Sequence, residues 1–231
     1  MSHHDIEKAG IEDTTRPQAL NGGHAAPVPR PTRIGNPATL GLFSFASTTL
    51  ILSLFNAQTR GVHVANAVVG MACFCGGLAQ LLAGMWEFPR GNTFGGAAFS
   101  SYGAFWMSYA TILIPGSGII NAYESVEGGA EQLSSALGIY LITWMLVTFF
   151  FFIASLRKAI AFIALFGFLT VTFACLAGGE FAGSVASTKA GGILGCITAL
   201  IAYYIGLADM LAAEDQAIAT LPLGVFAKKI N

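Results

Sequence analysis

The chain of 231 residues has a net charge of −1, only 10% charged residues, 55% hydrophobic residues and a mean hydropathy of +0.67. A soluble domain carries about 25% charged residues, so this one has too few to coat a water-facing surface. A near-neutral chain without a basic patch interleaved with aromatics also argues against a nucleic-acid partner.

In chain order, the first element is polar. Residues 1–33 hold eight of the charged side chains and are rich in Pro, Gly and Ala with no apolar period. Residues 1–35 read as a disordered cytoplasmic tail. The tail lacks the basic start and apolar run of a cleavable signal peptide, so the first apolar run reads as an uncleaved span.

Six stretches approach the roughly 20 apolar residues needed to cross the hydrocarbon as a helix. They run near Thr39–Ala57, Val62–Trp86, Phe94–Ile114, Ala136–Leu156, Ala159–Ala177 and Gly191–Leu211. Connections are tight, with Arg157 and Lys158 alone dividing the fourth from the fifth. The expectation is an all-α, six-transmembrane-helix bundle over residues 36–213, followed by a short cytoplasmic tail, 214–231. With six spans both ends share one side, and nine Lys and Arg residues (Lys8, Arg16, Arg30, Arg33, Arg90, Arg157, Lys158, Lys228, Lys229) fall there against Arg60 and Lys189 on the other. Excess basic residues mark the cytoplasmic face, which places both termini in the cytoplasm.

No nucleophile elbow, P-loop or zinc-protease motif is present, so no enzyme is expected. Cys73, Cys75, Cys175 and Cys196 lie inside apolar runs without His or carboxylate partners at ligand spacing and read as small apolar filler. No cofactor or metal is expected. Gly179/Gly183 and Gly191/Gly195 have the small-residue spacing of close helix contacts, within a subunit or between subunits. Polar residues inside spans are costly in lipid; Thr48, Thr49, Gln80, Ser101, Tyr102, Thr172 and Tyr204 are examples. Singly, each Ser or Thr can bond back to its own helix; together they suggest a polar path through the bundle without a fixed charge at its centre.

The first span opens Gly35-Asn36-Pro37-Ala38-Thr39-Leu40-Gly41-Leu42. Asn caps helices well and Pro suits the first helical position, so one reading is a well-made helix start. The other is an anion site at free N–H groups and the positive end of the dipole. An aquaporin would need two Asn-Pro-Ala motifs on opposed half-helices, and only one Asn-Pro pair exists.

Several blocks in order resemble the acetate uptake transporter family, also called the GPR1/FUN34/YaaH family. Asn36–Leu42 is similar to its Asn-Pro-Ala-Pro-Leu-Gly-Leu signature, with Thr39 in place of the second proline. Gly76-Gly77-x-Ala79-Gln80 with Ala83-Gly84-x-x-Glu87 is also similar to the family. So are Gly91-Asn92-Thr93-Phe94-Gly95, the run from Phe99 to Trp106, and Leu169-Thr170-Val171 with Phe173-Ala174.

The resemblance implies passage of acetate and similar small monocarboxylates across the lipid bilayer, with proton linkage open, by a homo-hexamer in the plasma membrane. Each subunit would enclose its own pore. It further implies an apolar mid-pore constriction at Phe45, Tyr102 and Leu169 and an entrance motif at Asn36, Pro37, Leu40 and Gly41. Other pore-lining candidates are Thr48, Thr49, Gln80, Glu87, Asn92, Thr93, Ser101, Ala202 and Tyr204. Apolar rings would pass a methyl group while hydroxyls and amides hold the carboxylate. A dicarboxylate would have to shed water from two charges, at several kcal/mol per ion. The alternative is an acetate-responsive membrane sensor with the tail as its output.

Overall fold

The computed structural model describes residues 34–226; the expectations about the N-terminal tail, its basic residues, Lys228 and Lys229 lie outside them. The described residues form six long helices: α1 Ala38–Asn56, α2 Val68–Glu87, α3 Thr93–Leu113, α4 Gly129–Ser155, α5 Ile160–Ala182 and α6 Val185–Ala212. A six-residue helix, Ile119–Glu124, sits in the connection from α3 to α4. Residues 221–226 are extended, joined to the start of α5 by a single antiparallel bridge, Ala159 to Val225.

All but α3 are long and apolar enough to cross a membrane. The α3 helix has the length, 21 residues, but its sequence is diluted by glycine, serine and tyrosine: Gly95, Gly96, Ser100, Ser101, Tyr102, Gly103, Ser108 and Tyr109. Its buried face carries Phe99, Tyr102, Phe105 and Trp106, so its apolar contacts are with the bundle interior.

Helix ends differ from the sequence expectation where backbone conformation or capping decides them. The second helix starts at Val68 rather than near Val62, because Gln58 and Arg60 take positive φ (57° and 56°) and break the chain after α1. Asn66 and His63 therefore lie in the connection, outside the helix. The fourth helix begins seven residues early, at Gly129, and the sixth at Val185. Only Gly183 (φ 57°) and Ser184 separate α5 from α6, and the Ser184 hydroxyl accepts from the Ser187 N–H at 3.3 Å. Within α2 the backbone widens to π-helical hydrogen bonding over Met71–Ala79.

Backbones approach closely around a ring in the order α3, α2, α1, α6, α5, α4. Small residues permit the α1–α6 approach. A Cβ on Gly192 would meet the Ala57 backbone nitrogen at 2.5 Å and the Ser53 carbonyl oxygen at 2.7 Å. Gly191 and Gly195 pack within the subunit, against Leu176 of α5 and Ser53 of α1. The Gly179/Gly183 pair does not form such a contact face, because Gly183 is the left-handed residue that ends α5.

The last seam, α3 to α4 and α5, is closed by rings rather than by backbone approach. Phe94 meets Phe151 and Phe166 edge-on at 5.8 and 5.6 Å, and Phe105 meets Trp144 and Phe173 at 5.0 and 5.4 Å. Three hydrogen bonds cross it: Tyr102 Oη donates to Thr148 Oγ1 at 2.9 Å, the Ser108 and Tyr140 hydroxyls pair at 2.7 Å, and the Tyr140 hydroxyl donates to the Phe105 carbonyl at 3.2 Å.

Candidate functional site

One face of α1 sets the site. Ala38, Leu42, Phe45, Thr49, Leu52 and Asn56 recur every three or four residues, as a 3.6-residue helix requires for one stripe. In that order they line three cavities that follow one another through the ring. The stripe spans about 27 Å at 1.5 Å per residue, close to the roughly 30 Å of a bilayer's hydrocarbon. α3 and α5 supply matching stripes, Phe94–Ala98–Tyr102–Trp106 and Leu165–Leu169–Thr172–Leu176.

The first cavity, about 290 Å³, opens where the connections α2–α3 and α4–α5 meet the C-terminal segment, and its walls include Asn92, Phe94, Lys158 and Asp209. Leu42, Phe99, Leu165 and Phe166 separate it from a middle cavity of about 20 Å³, room for about one water. Phe45 and Tyr102 then divide the middle cavity from a third of about 110 Å³, which Leu169 also lines. The rings of Phe45 and Tyr102 are 5.5 Å apart, and all three side chains are buried.

Polar atoms without partners flank this neck. Gln80, buried on α2, lines the middle cavity with its Oε1 unbonded. Beyond the neck, Thr49 and Trp106 line the third cavity, and their Oγ1 and Nε1 atoms are buried and unbonded. A buried donor without a partner forfeits about 1–3 kcal/mol, so these hydroxyl and indole groups sit in the neck region at a cost. Glu180 and Thr188 lie at the far end of the same cavity.

Of the residues singled out in the sequence, Phe45, Tyr102, Leu169, Thr49, Gln80 and Asn92 line these cavities. The others lie elsewhere. Thr48 is one position round the helix from Thr49, and its hydroxyl donates to the Ser44 carbonyl at 3.0 Å, facing α2. Glu87 is wholly buried and bonded to Arg90 Nη1 at 3.1 Å and Asn92 Nδ2 at 3.0 Å. Thr93 is exposed at the start of α3, Ser101 is half-buried off the cavities, and Ala202 is packed in the core. Tyr204 lies on the outer side of α6, its hydroxyl donating to the Pro222 carbonyl at 2.8 Å.

The entrance motif forms a cap and a brace. Asn36 Oδ1 accepts from the Ala38 N–H at 3.1 Å and from Arg90 Nη1 at 2.7 Å, so the chain start of α1 is tied to the α2–α3 connection. Pro37 has the helical φ of −79° expected of the position after a capping Asn. Gly41 lies against the Phe99 ring and Leu40 is exposed, while their neighbours Ala38 and Leu42 line the first cavity. Sequence reasoning passed over Trp106, Lys158 and Asp209. Trp106 was legible from the α3 stripe; Lys158 and Asp209 come to one cavity only through the fold.

Comparison with known proteins places this arrangement. A family model described as the GPR1/FUN34/yaaH family matches residues 18–226. The chain is 45% identical to the ammonia transport outward protein 2 of Saccharomyces cerevisiae, over 89% of this chain and 71% of that protein. It is 38% identical to acetate permease A of Emericella nidulans, over 84% and 67%, and 37% identical to the succinate-acetate/proton symporter SatP of Escherichia coli, over 84% and 97%. The solved structure of the bacterial acetate channel SatP superposes with a TM-score of 0.71 at 35% identity, covering 83% of this chain and all of that one. The chain is a member of the GPR1/FUN34/yaaH family of integral membrane proteins.

Proposed function

We propose that this protein carries acetate and similar small monocarboxylates across a membrane along the three cavities of each subunit, with Phe45, Tyr102 and Leu169 as its selectivity neck. The carrying observation is the neck itself: apolar side chains from three helices, with Gln80 lining the cavity on one side and Thr49 and Trp106 the cavity on the other. An acetate passing it slides its methyl group over rings, with the Gln80 amide N–H on one side and the Thr49 hydroxyl and Trp106 indole N–H on the other as the donors for the carboxylate. Selectivity then comes from bore and desolvation, without a fixed cation at the neck.

In this reading α3 is the sixth span, shielded from lipid on its polar side by its neighbours. Both termini are cytoplasmic: Arg90, Arg157 and Lys158 cluster at the end of the bundle where α1 begins, against Arg60 and Lys189 at the other. The location is the plasma membrane and the assembly a homo-hexamer, for which the outward Phe74, Ile139, Phe150 and Ile193 supply apolar surface to lipid and neighbouring subunits.

The test is uptake of labelled acetate by proteoliposomes containing the purified protein, with and without an imposed pH gradient. Protein-dependent uptake carries the proposal, and uptake no faster than in empty vesicles refutes it. Acceleration by an inward proton gradient identifies proton linkage. Succinate is included because a relative's name pairs it with acetate; succinate entering as fast as acetate would overturn the desolvation argument at the neck.

A further inference from the structure

We propose that Lys158 is the anion-capturing residue of the first cavity, opposed there by Asp209. The inference rests on the transport reading above. Lys158 comes from the α4–α5 connection and lines the first cavity, with its ammonium 4.4 Å from the centre of the Phe94 ring. Asp209 enters the same cavity from α6. Neither forms an ion pair among the described residues, where Arg90 with Glu87 is the one such pair.

Lys158 and Arg90 therefore have different standing. Arg90 is committed: one nitrogen serves both Glu87 and Asn36. Among the described residues the exposed Lys158 ammonium has only a ring face, which holds a cation much more weakly than a carboxylate does. An arriving carboxylate can draw it from Phe94 at little cost, and the wall the anion then meets leads past Leu42 to the neck.

The backbone under Lys158 is fixed to receive the anion at that place. The Phe226 N–H donates to the Lys158 carbonyl at 3.2 Å, and the Ile160 and Ala161 N–H groups donate to the Gly224 and Leu223 carbonyls at 3.0 and 3.1 Å. Leu223 and Val225 of the same C-terminal segment complete the cavity wall. Asp209 contributes the opposite sign: its charge repels the anion that Lys158 attracts, so the pair sets affinity at the mouth while leaving the neck to set selectivity.

The experiment measures the acetate concentration giving half-maximal flux in proteoliposomes sorted so that acetate is presented on the side of the termini, normalised to incorporated protein. For Lys158→Gln this concentration rises roughly fivefold at about 10 mM ionic strength, and by less than about twofold near 0.5 M, where screening is short-ranged. Lys158→Arg restores the wild-type value, and Asp209→Asn lowers it, a direction that misfolding cannot produce. A Lys158→Gln value equal to wild type, a rise that persists unchanged at high salt, or failure of Arg to restore it overturns the role. If wild type itself carries no acetate, the transport reading falls and the role falls with it; wild-type flux with an unmoved Gln variant removes only Lys158.

Discussion

Leu169→Ala separates a pore neck from an ordinary core. Leu169 is 4% exposed and borders the third cavity beside Phe45 and Tyr102. Truncation removes three carbons, or about 2.4 kcal/mol of burial at ~0.8 kcal/mol per carbon. In a closed core a residual void would bring the loss to as much as about 5 kcal/mol, but here the new space joins an existing cavity of about 110 Å³. The expected cost is therefore at the lower end, about 2 kcal/mol, with protein still in the membrane. The neck is bounded on the other side by a cavity of only about 20 Å³, so a wider bore matters more for a three-carbon acid than for acetate. If the barrier to lactate falls by about 1.4 kcal/mol more than that to acetate, the lactate-to-acetate rate ratio rises about tenfold. The assay is paired uptake of labelled lactate and acetate by proteoliposomes, normalised to incorporated protein, with Phe45→Ala alongside. Equal losses for both acids, leaving the ratio at its wild-type value, would refute the placement of Leu169 at the neck.

Asn36→Ala removes the acceptor shared by Ala38 and Arg90; a cost of about 1 kcal/mol and reduced acetate flux at near-normal membrane abundance are expected, and wild-type flux would leave Asn36 a cap alone. Gly192→Ala drives a Cβ against the α1 backbone near Ser53 and Ala57, which cannot rotate away, so a loss of about 1–3 kcal/mol should appear as a lower unfolding temperature in detergent; an unchanged midpoint would mean α1 and α6 separate freely. For topology, a cysteine-free background with single cysteines placed in the N-terminal tail or near Glu127 is labelled in intact cells with an impermeant thiol reagent. Reaction near Glu127 and protection of the tail are expected, and the reverse pattern would invert the bundle.

The apolar runs made the helices legible, because a stretch that must sit in hydrocarbon cannot hide its hydropathy. Their ends were less so. Glu131, Gln132 and Ser134 read as loop, yet α4 already begins at Gly129, since polar residues are free to be helical once a helix projects beyond the apolar zone. The α1 stripe from Ala38 to Asn56 could be drawn from spacing alone, and it leads to both Phe45 and Thr49. Thr48 shows the limit: a hydroxyl one residue from the stripe looks the same in sequence but faces α2 and bonds its own helix. Glu87 likewise stood among the pore-lining candidates, but its carboxylate is bonded to Arg90 and Asn92 away from the cavities. Lys158 and Asp209 are 51 positions apart in the sequence, and no local pattern connects them before the helices pack.

The ring-closed seam between α3 and its partners bears on how quickly the protein can turn over. Where helices meet through glycine and serine, widening the bundle means prying backbones apart, a collective motion on the microsecond-to-millisecond scale. Where they meet through Phe94, Tyr102 and Phe105 packed against rings of α4 and α5, the bore can change when side chains rotate, without moving either helix axis. Tyr102 belongs both to this seam and to the neck, so any rotation of its ring, which must first break the Thr148 hydrogen bond, would alter the wall and the passage together.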